Sequence, residues 1–268
     1  MPRRRLLIGL DVDGTLIRHD ESISDAVLAA VARVQALGHE VTLATGRSWE
    51  TARPILERFS LSPEYVVCAN GALTMARDLS EPEGYRREWV ETFDATEVLE
   101  KIRDHLPRGS YMVEDAMGFR RYTEGMTDWE LSNAERVDFD QLKGFPTTRV
   151  VVTVPELGDE DFLAMVREMG LKDVAYSVGW SAWLDIAPHG VNKGTALERV
   201  RRELGIAPAD VLVVGDGRND IEMLEWAVGG GGRGVAMGQA PEEVFEAANE
   251  ATASVEDDGM AFVLSTVE

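Results

Sequence analysis

Two hydrophobic patterns divide the chain. Leu6-Leu7-Ile8-Gly9-Leu10 is a short, nearly continuous apolar run ending in Asp11 and Asp13. Such a run suits a strand buried on both faces of a parallel sheet. Residues 24–38 then read as an amphipathic helix. Ser24 is its N-cap, Val27, Val31 and Val34 recur at helical spacing, and Gly38 sits at the stop. Residues 40–47 predict a second strand ending in Thr45-Gly46-Arg47. Residues 48–59 predict a helix that contains Pro54, and residues 65–69 a third strand ending in Asn70-Gly71. Strands alternating with helices predict an α/β fold with a parallel, doubly wound sheet.

The pattern changes at the turn-rich Glu81-Pro82-Glu83-Gly84. Beyond it, residues 85–92 look extended and 95–105 helical. Residues 111–122 fit a hairpin around Ala116-Met117-Gly118. A strand at 148–154 and a helix at 159–169 follow. Residues 174–186 fit a second hairpin, around Gly179-Trp180-Ser181. The α/β alternation then resumes. It gives a helix over 193–204 stopped by Gly205, and a strand over 210–216 ending in Asp216. After these come a helix at 218–227, a strand at 234–237, a helix at 241–249 with Pro at its start, a closing strand at 251–255 and a helix at 260–266. The expected organisation is a core of residues 1–83 and 188–268, with an α+β lobe, 84–187, inserted into it.

Composition narrows the function. The chain has 268 residues, 44% hydrophobic and 28% charged, with a formal net charge of −21. That balance argues against nucleic acid or an anionic membrane as partner, since both need clustered Lys and Arg. An anionic substrate then needs local cations. Cys68 is the only cysteine, which excludes an internal disulfide and fits a reducing, cytoplasmic setting. Arg3-Arg4-Arg5 before the first apolar run imitates a signal peptide. The run is too short for that and leads straight into Asp11.

In a parallel sheet these strand ends share one edge, where open α/β sheets place their ligands. That edge collects Asp11, Asp13, Thr45, Lys193, Asp216 and, one helical turn later, Asp220. Asp11 and Asp13 are two apart and point the same way in extended chain. Clustered carboxylates repel unless cations intervene. A divalent ion with Lys193 makes the group tolerable. All-oxygen ligands favour Mg²⁺, which keeps open positions for phosphate oxygens.

These residues carry a family resemblance. Asp11-Val12-Asp13-Gly14-Thr15, Thr45-Gly46-Arg47, Asn70-Gly71, Gly190-Val191-Asn192-Lys193-Gly194, Gly215-Asp216-Gly217-Arg218-Asn219-Asp220, Val235-Ala236-Met237-Gly238 and Asp258-Gly259 occur in this order. The sequence resembles the haloacid dehalogenase superfamily of phosphohydrolases, in its Cof-type, class IIB branch with an inserted α+β cap. The resemblance implies a Rossmann-like core and a Mg²⁺-dependent phosphatase of small phosphorylated metabolites, above all sugar phosphates. It implies Asp11 as nucleophile and Asp13 as general acid and base. Thr45, Gly46 and Lys193 would bind the phosphoryl group. Asp11, Asp216 and the backbone carbonyl of Asp13 would hold the metal, with Asp220 and Asn219 supporting it. Arg47, Asn70, Gly71 and Trp180 become candidate substrate contacts. The cap would cover the crevice and supply specificity.

Plainer readings stand beside several of these. Thr45 also fits a helix cap, and Asp220 an ordinary first-turn acid. Arg47 fits a surface ion pair equally well, and Asn70-Gly71 a simple turn. Gly229 to Gly234 satisfies the letter of a dinucleotide fingerprint, but it follows a helix and precedes a strand, the reverse of the required context. The four histidines show no ligand spacing. A phosphomutase is the nearest alternative enzyme, and a non-catalytic phospho-ligand-binding protein a more distant one. Both a monomer and a homodimer fit the sequence.

Overall fold

The computed structural model describes residues 5–124, 133–154, 156–171, 174–178 and 182–268. The chain divides into two units, Met1–Trp89 with Asn192–Glu268, and Val90–Val191. The lobe expected over 84–187 is therefore displaced by a few residues at each end.

In the first unit the all-buried strand Leu7–Leu10 pairs in parallel with Glu40–Leu43 on one side and Val211–Gly215 on the other. Arg233–Ala236 and Glu250–Ala251 continue the sheet beyond Val211–Gly215, also in parallel. From Leu7–Leu10 the chain moves toward Glu40–Leu43. From Val211–Gly215 it moves the opposite way. Right-handed crossovers therefore put the two sets of helices on opposite faces. Open α/β sheets place their ligands at such a reversal, which falls here between Leu7–Leu10 and Val211–Gly215, the strands that lead into Asp11 and Asp216.

The helices form where the sequence pattern says they should. Asp25–Ala36 is capped by Ser24, whose hydroxyl accepts from the Val27 amide at 3.2 Å, and it buries Val27, Val31 and Val34. Trp49–Arg58 contains Pro54. Lys193–Glu203 starts at the Asn192 cap, whose side chain accepts from the Thr195 amide at 2.8 Å. Leu197 and Val200 of that helix pack with Leu7, Val211, Val213, Met223 and Leu224. Each such burial contributes about 1.5–3 kcal/mol.

Two expectations need correction here. The second strand ends at Leu43, not Arg47, so Thr45 to Arg47 form a loop. The third strand, Tyr65–Cys68, touches the parallel sheet through a single bridge, Ala44 to Val67. Its own ladder is antiparallel, with Leu73–Arg77, and Tyr85–Val90 completes a three-stranded sheet. The tight 3-10 turn Ala69–Gly71 reverses the chain, and an adjacent antiparallel strand follows from it.

The second unit is one sheet backed by the helices Thr96–His105 and Asp159–Met169. The strand order is Val174–Val178, Trp183–Pro188, Pro146–Thr153, Ser110–Asp115, Arg120–Tyr122 and Ala134–Arg136, and Phe93–Asp94 also pairs with Pro146–Thr153. Alternation sorts the two faces. Tyr111, Val113, Val150, Val152, Leu184 and Ile186 share a core with Leu99, Ile102, Phe162 and Val166. Met112 and Val151 lie in a separate cluster. Two buried ion pairs, Arg149–Asp185 at 2.9 Å and Arg120–Glu114 at 3.1 Å, link neighbouring strands. The expected hairpin tip at Gly179-Trp180-Ser181 lies outside the described residues, as do Arg3 and Arg4. Among the described residues no helix is long and apolar enough to cross a membrane.

Candidate active site

Asp11 follows the last ladder residue of the first strand, and its amide donates to the Val214 carbonyl at 3.1 Å. The chain then turns tightly, with the amides of Leu16 and Ile17 donating to the Val12 carbonyl at 2.9 and 3.0 Å. Gly14 makes this turn at φ +77°, and a Cβ there would collide with the Asp216 carboxylate. Only glycine lets the loop after Asp13 pack against Asp216.

Lys193 joins the carboxylates. Its ammonium donates to Asp11 Oδ1 and to Asp220 Oδ1, each at 2.6 Å, and its side chain is wholly buried. Three protons on Nζ leave one for another acceptor. Asp220 closes its own loop, with Oδ2 accepting from the amides of Asp216 at 3.0 Å and Gly217 at 2.9 Å. Asp216 Oδ1 accepts from the Thr15 hydroxyl at 3.3 Å, and its Oδ2 from Gln239 Nε2 at 3.1 Å. One carboxylate oxygen each from Asp11, Asp216 and Asp220 lie within 4.8 Å of one another, and all three residues are buried. This all-oxygen donor set suits a hard divalent cation and offers nothing a softer metal would prefer.

The charges bear this crowding unequally. Burial pushes the Asp11 carboxyl well above its usual range, Asp220 pushes it further, and Lys193 opposes both. Burial together with Asp220 brings Asp216 up to about 6. Burial alone would lower the Lys193 ammonium, but Asp11 and Asp220 outweigh it and raise it above its ordinary value. Added positive charge would relieve both aspartates.

The remaining sequence candidates divide into groups. Thr45 is buried and accepts from the Arg47 amide at 3.0 Å, which leaves its own proton free to donate. The amides of Ala69 and Asn70 donate to the carbonyls of Arg47 at 2.8 Å and Thr45 at 3.0 Å, so the two loops brace each other. Gly46 lies against the Asn70 side chain, which accepts from Asn219 Nδ2 at 3.0 Å. Gly71, at φ +100°, lies where a Cβ would strike the Asn192 carbonyl, so its backbone seats the helix that carries Lys193.

Arg47 grips Asp13 in a bidentate pair, Nε to Oδ2 at 2.9 Å and Nη2 to Oδ1 at 2.6 Å. The Asp13 side chain is 59% exposed, unlike the three buried acids. Trp180 lies outside the described residues. Thr15 closes the first quoted motif and Gln239 directly follows Val235-Ala236-Met237-Gly238, yet the sequence alone assigned neither a role.

The chain also has relatives among known proteins. A family model described as haloacid dehalogenase-like hydrolase matches residues 8–264. The chain is 30% identical to the 5-amino-6-(5-phospho-D-ribitylamino)uracil phosphatase YitU of Bacillus subtilis, over 97% of each chain. It is 28% identical to the pyridoxal phosphate phosphatase YbhA of Escherichia coli, over 91% of each. Among solved structures, a sugar phosphatase of haloacid dehalogenase subclass IIB superposes with a TM-score of 0.79. It covers 97% of this chain and 98% of its own at 19% identity, a likeness of fold.

Proposed function

Because the chain belongs to the haloacid dehalogenase-like hydrolases, we propose that it is a Mg²⁺-dependent phosphatase that passes the phosphoryl group of a small phosphate monoester through Asp11 to water. One observation carries this reading: Asp11 and Asp216 bring carboxylate oxygens together beside a single buried ammonium, Lys193, which Asp220 holds in place. Those oxygens have the donor chemistry of a Mg²⁺ site, and the named relatives are phosphatases.

Asp11 and Asp216 would hold the ion, with the Asp13 carbonyl, while Asp220 anchors Lys193 and the turn. Bound Mg²⁺ would offset the repulsion between carboxylate and phosphoryl oxygens. Asp11 attacks phosphorus, forming an acyl-phosphate bond as the ester oxygen departs. Lys193, with its third proton, and the Thr45 hydroxyl donate to the non-bridging oxygens, where negative charge must be held as the bond breaks. Asp13 gives the leaving oxygen its proton, then takes one from the water that cleaves the acyl phosphate. Both Asp13 oxygens are engaged by Arg47, so this duty requires the pair to open at least one oxygen toward the substrate.

The substrate class we infer is a sugar phosphate or a similarly small ester. The test is phosphate release from a panel of hexose, pentose and pyridoxal phosphates, with Mg²⁺ and with EDTA. Mg²⁺-dependent release supports the reading. Conversion of one sugar phosphate to its isomer without free phosphate would make the protein a mutase. Release undiminished by EDTA would overturn the metal requirement.

A further inference from the structure

Gln239 follows the strand Arg233–Ala236 in a loop fixed by its own backbone, with the Met237 amide on the Gly215 carbonyl and the Gly238 amide on the Ala253 carbonyl, both at 3.0 Å. From there its side-chain amide reaches three partners. Nε2 donates to the Gly14 carbonyl at 2.6 Å and to Asp216 Oδ2 at 3.1 Å. Oε1 accepts from the Val255 amide at 3.0 Å. The orientation of the amide follows from these partners: a flipped group would set its NH₂ against the Val255 N–H and its oxygen against two acceptors.

The contact falls at a sensitive place. Asp216 Oδ2 lies against Gly14, where there is no room for a Cβ. One side-chain amide thus ties together the loop after the nucleophile, the buried carboxylate of a neighbouring strand and the loop at Val255. The Thr15 hydroxyl donates to the other Asp216 oxygen, Oδ1. A carboxylate gripped at both oxygens keeps its remaining lone pairs aimed in one direction.

We propose that Gln239 is a positioning residue for the cation site: it fixes the Asp216 carboxylate and the Gly14 turn in the orientation that Mg²⁺ requires. This rests on the reading of Asp216 as a metal ligand. Groups that orient ligands in this way are commonly worth about 10–100-fold in metal affinity.

The test is calorimetric titration of the metal-free protein with MgCl₂, for the wild type and for Gln239→Met. Methionine keeps the length and removes both donors and the acceptor. Melting in EDTA, followed by circular dichroism, reports the fold separately. The expected result is a Mg²⁺ dissociation constant raised about tenfold or more, with the KM for substrate at saturating Mg²⁺ nearly unchanged. A purely structural role would lower the melting temperature and leave the Mg²⁺ affinity of the folded protein alone. A rise of less than threefold in the folded variant overturns the proposal. If Gln239→Met fails to fold, Gln239→Asn decides by the same threefold limit, because its amide is one methylene too short to reach all three partners. A wild type that binds no Mg²⁺ would instead refute the metal reading of the site, and the role of Gln239 with it.

Discussion

Asp216→Asn should make the metal-free protein more stable, although it removes a proposed metal ligand. Burial and Asp220 raise the Asp216 carboxyl from 3.8 to about 6. The folded protein therefore holds this proton more tightly than the unfolded chain does. The associated stability is complete below about pH 4 and is lost as pH rises through about 6. Roughly two pKa units at about 1.4 kcal/mol each make the ionised form cost about 3 kcal/mol above pH 7. Asp216 is 3% exposed, so solvent screens little of this. An asparagine keeps the bond accepted from Gln239 through its oxygen, and its NH₂ donates to the Thr15 hydroxyl oxygen in place of the bond that Asp216 accepts from that hydroxyl. Scanning calorimetry in EDTA at pH 8 should show the variant melting roughly 5–10 °C higher. The gain should vanish near pH 4. With Mg²⁺ at 100 times its dissociation constant the wild type gains about 2.7 kcal/mol, so the gap should nearly close. A variant that melts at or below the wild type in EDTA at pH 8 would refute the electrostatic reasoning, as would an equal gain at pH 4.

Lys193→Met should do the opposite. It leaves Asp11 and Asp220 buried without their shared cation, and a loss of about 3–5 kcal/mol is expected in urea unfolding; a loss under about 1 kcal/mol would contradict the bridging role. Asp13→Asn should slow hydrolysis of an alkyl phosphate at least about tenfold more than that of p-nitrophenyl phosphate, whose leaving group needs no proton. Equal losses on the two substrates would remove Asp13 from the acid role.

The sequence reveals the sheet and its edge for a simple reason. Leu7–Leu10 and Val211–Gly215 are apolar throughout and end in acids, so the position of Asp11 and Asp216 follows from parallel pairing alone. The meeting of Lys193 with Asp11 and Asp220 follows from a helix that starts at the same edge. Other features depended on contacts that periodicity does not encode. Leu73–Arg77 is mostly apolar and buried, but its antiparallel pairing follows from the tight turn at Ala69–Gly71, which hydrophobic periodicity does not encode. The bidentate grip of Arg47 on Asp13 joins residues 34 positions apart, and the sequence left Arg47 open between an ion pair and a substrate contact. Gln239 is an ordinary polar residue in a loop. Its role emerges from the three partners its amide meets, and those come from distant segments.

Turnover of p-nitrophenyl phosphate by Asp11→Asn, in saturating Mg²⁺ and beside a melting curve, tests the central claim most directly. The account predicts a loss of more than about 10³-fold with the fold retained. A folded variant that keeps activity within about tenfold of the wild type would show that the phosphoryl group does not pass through Asp11.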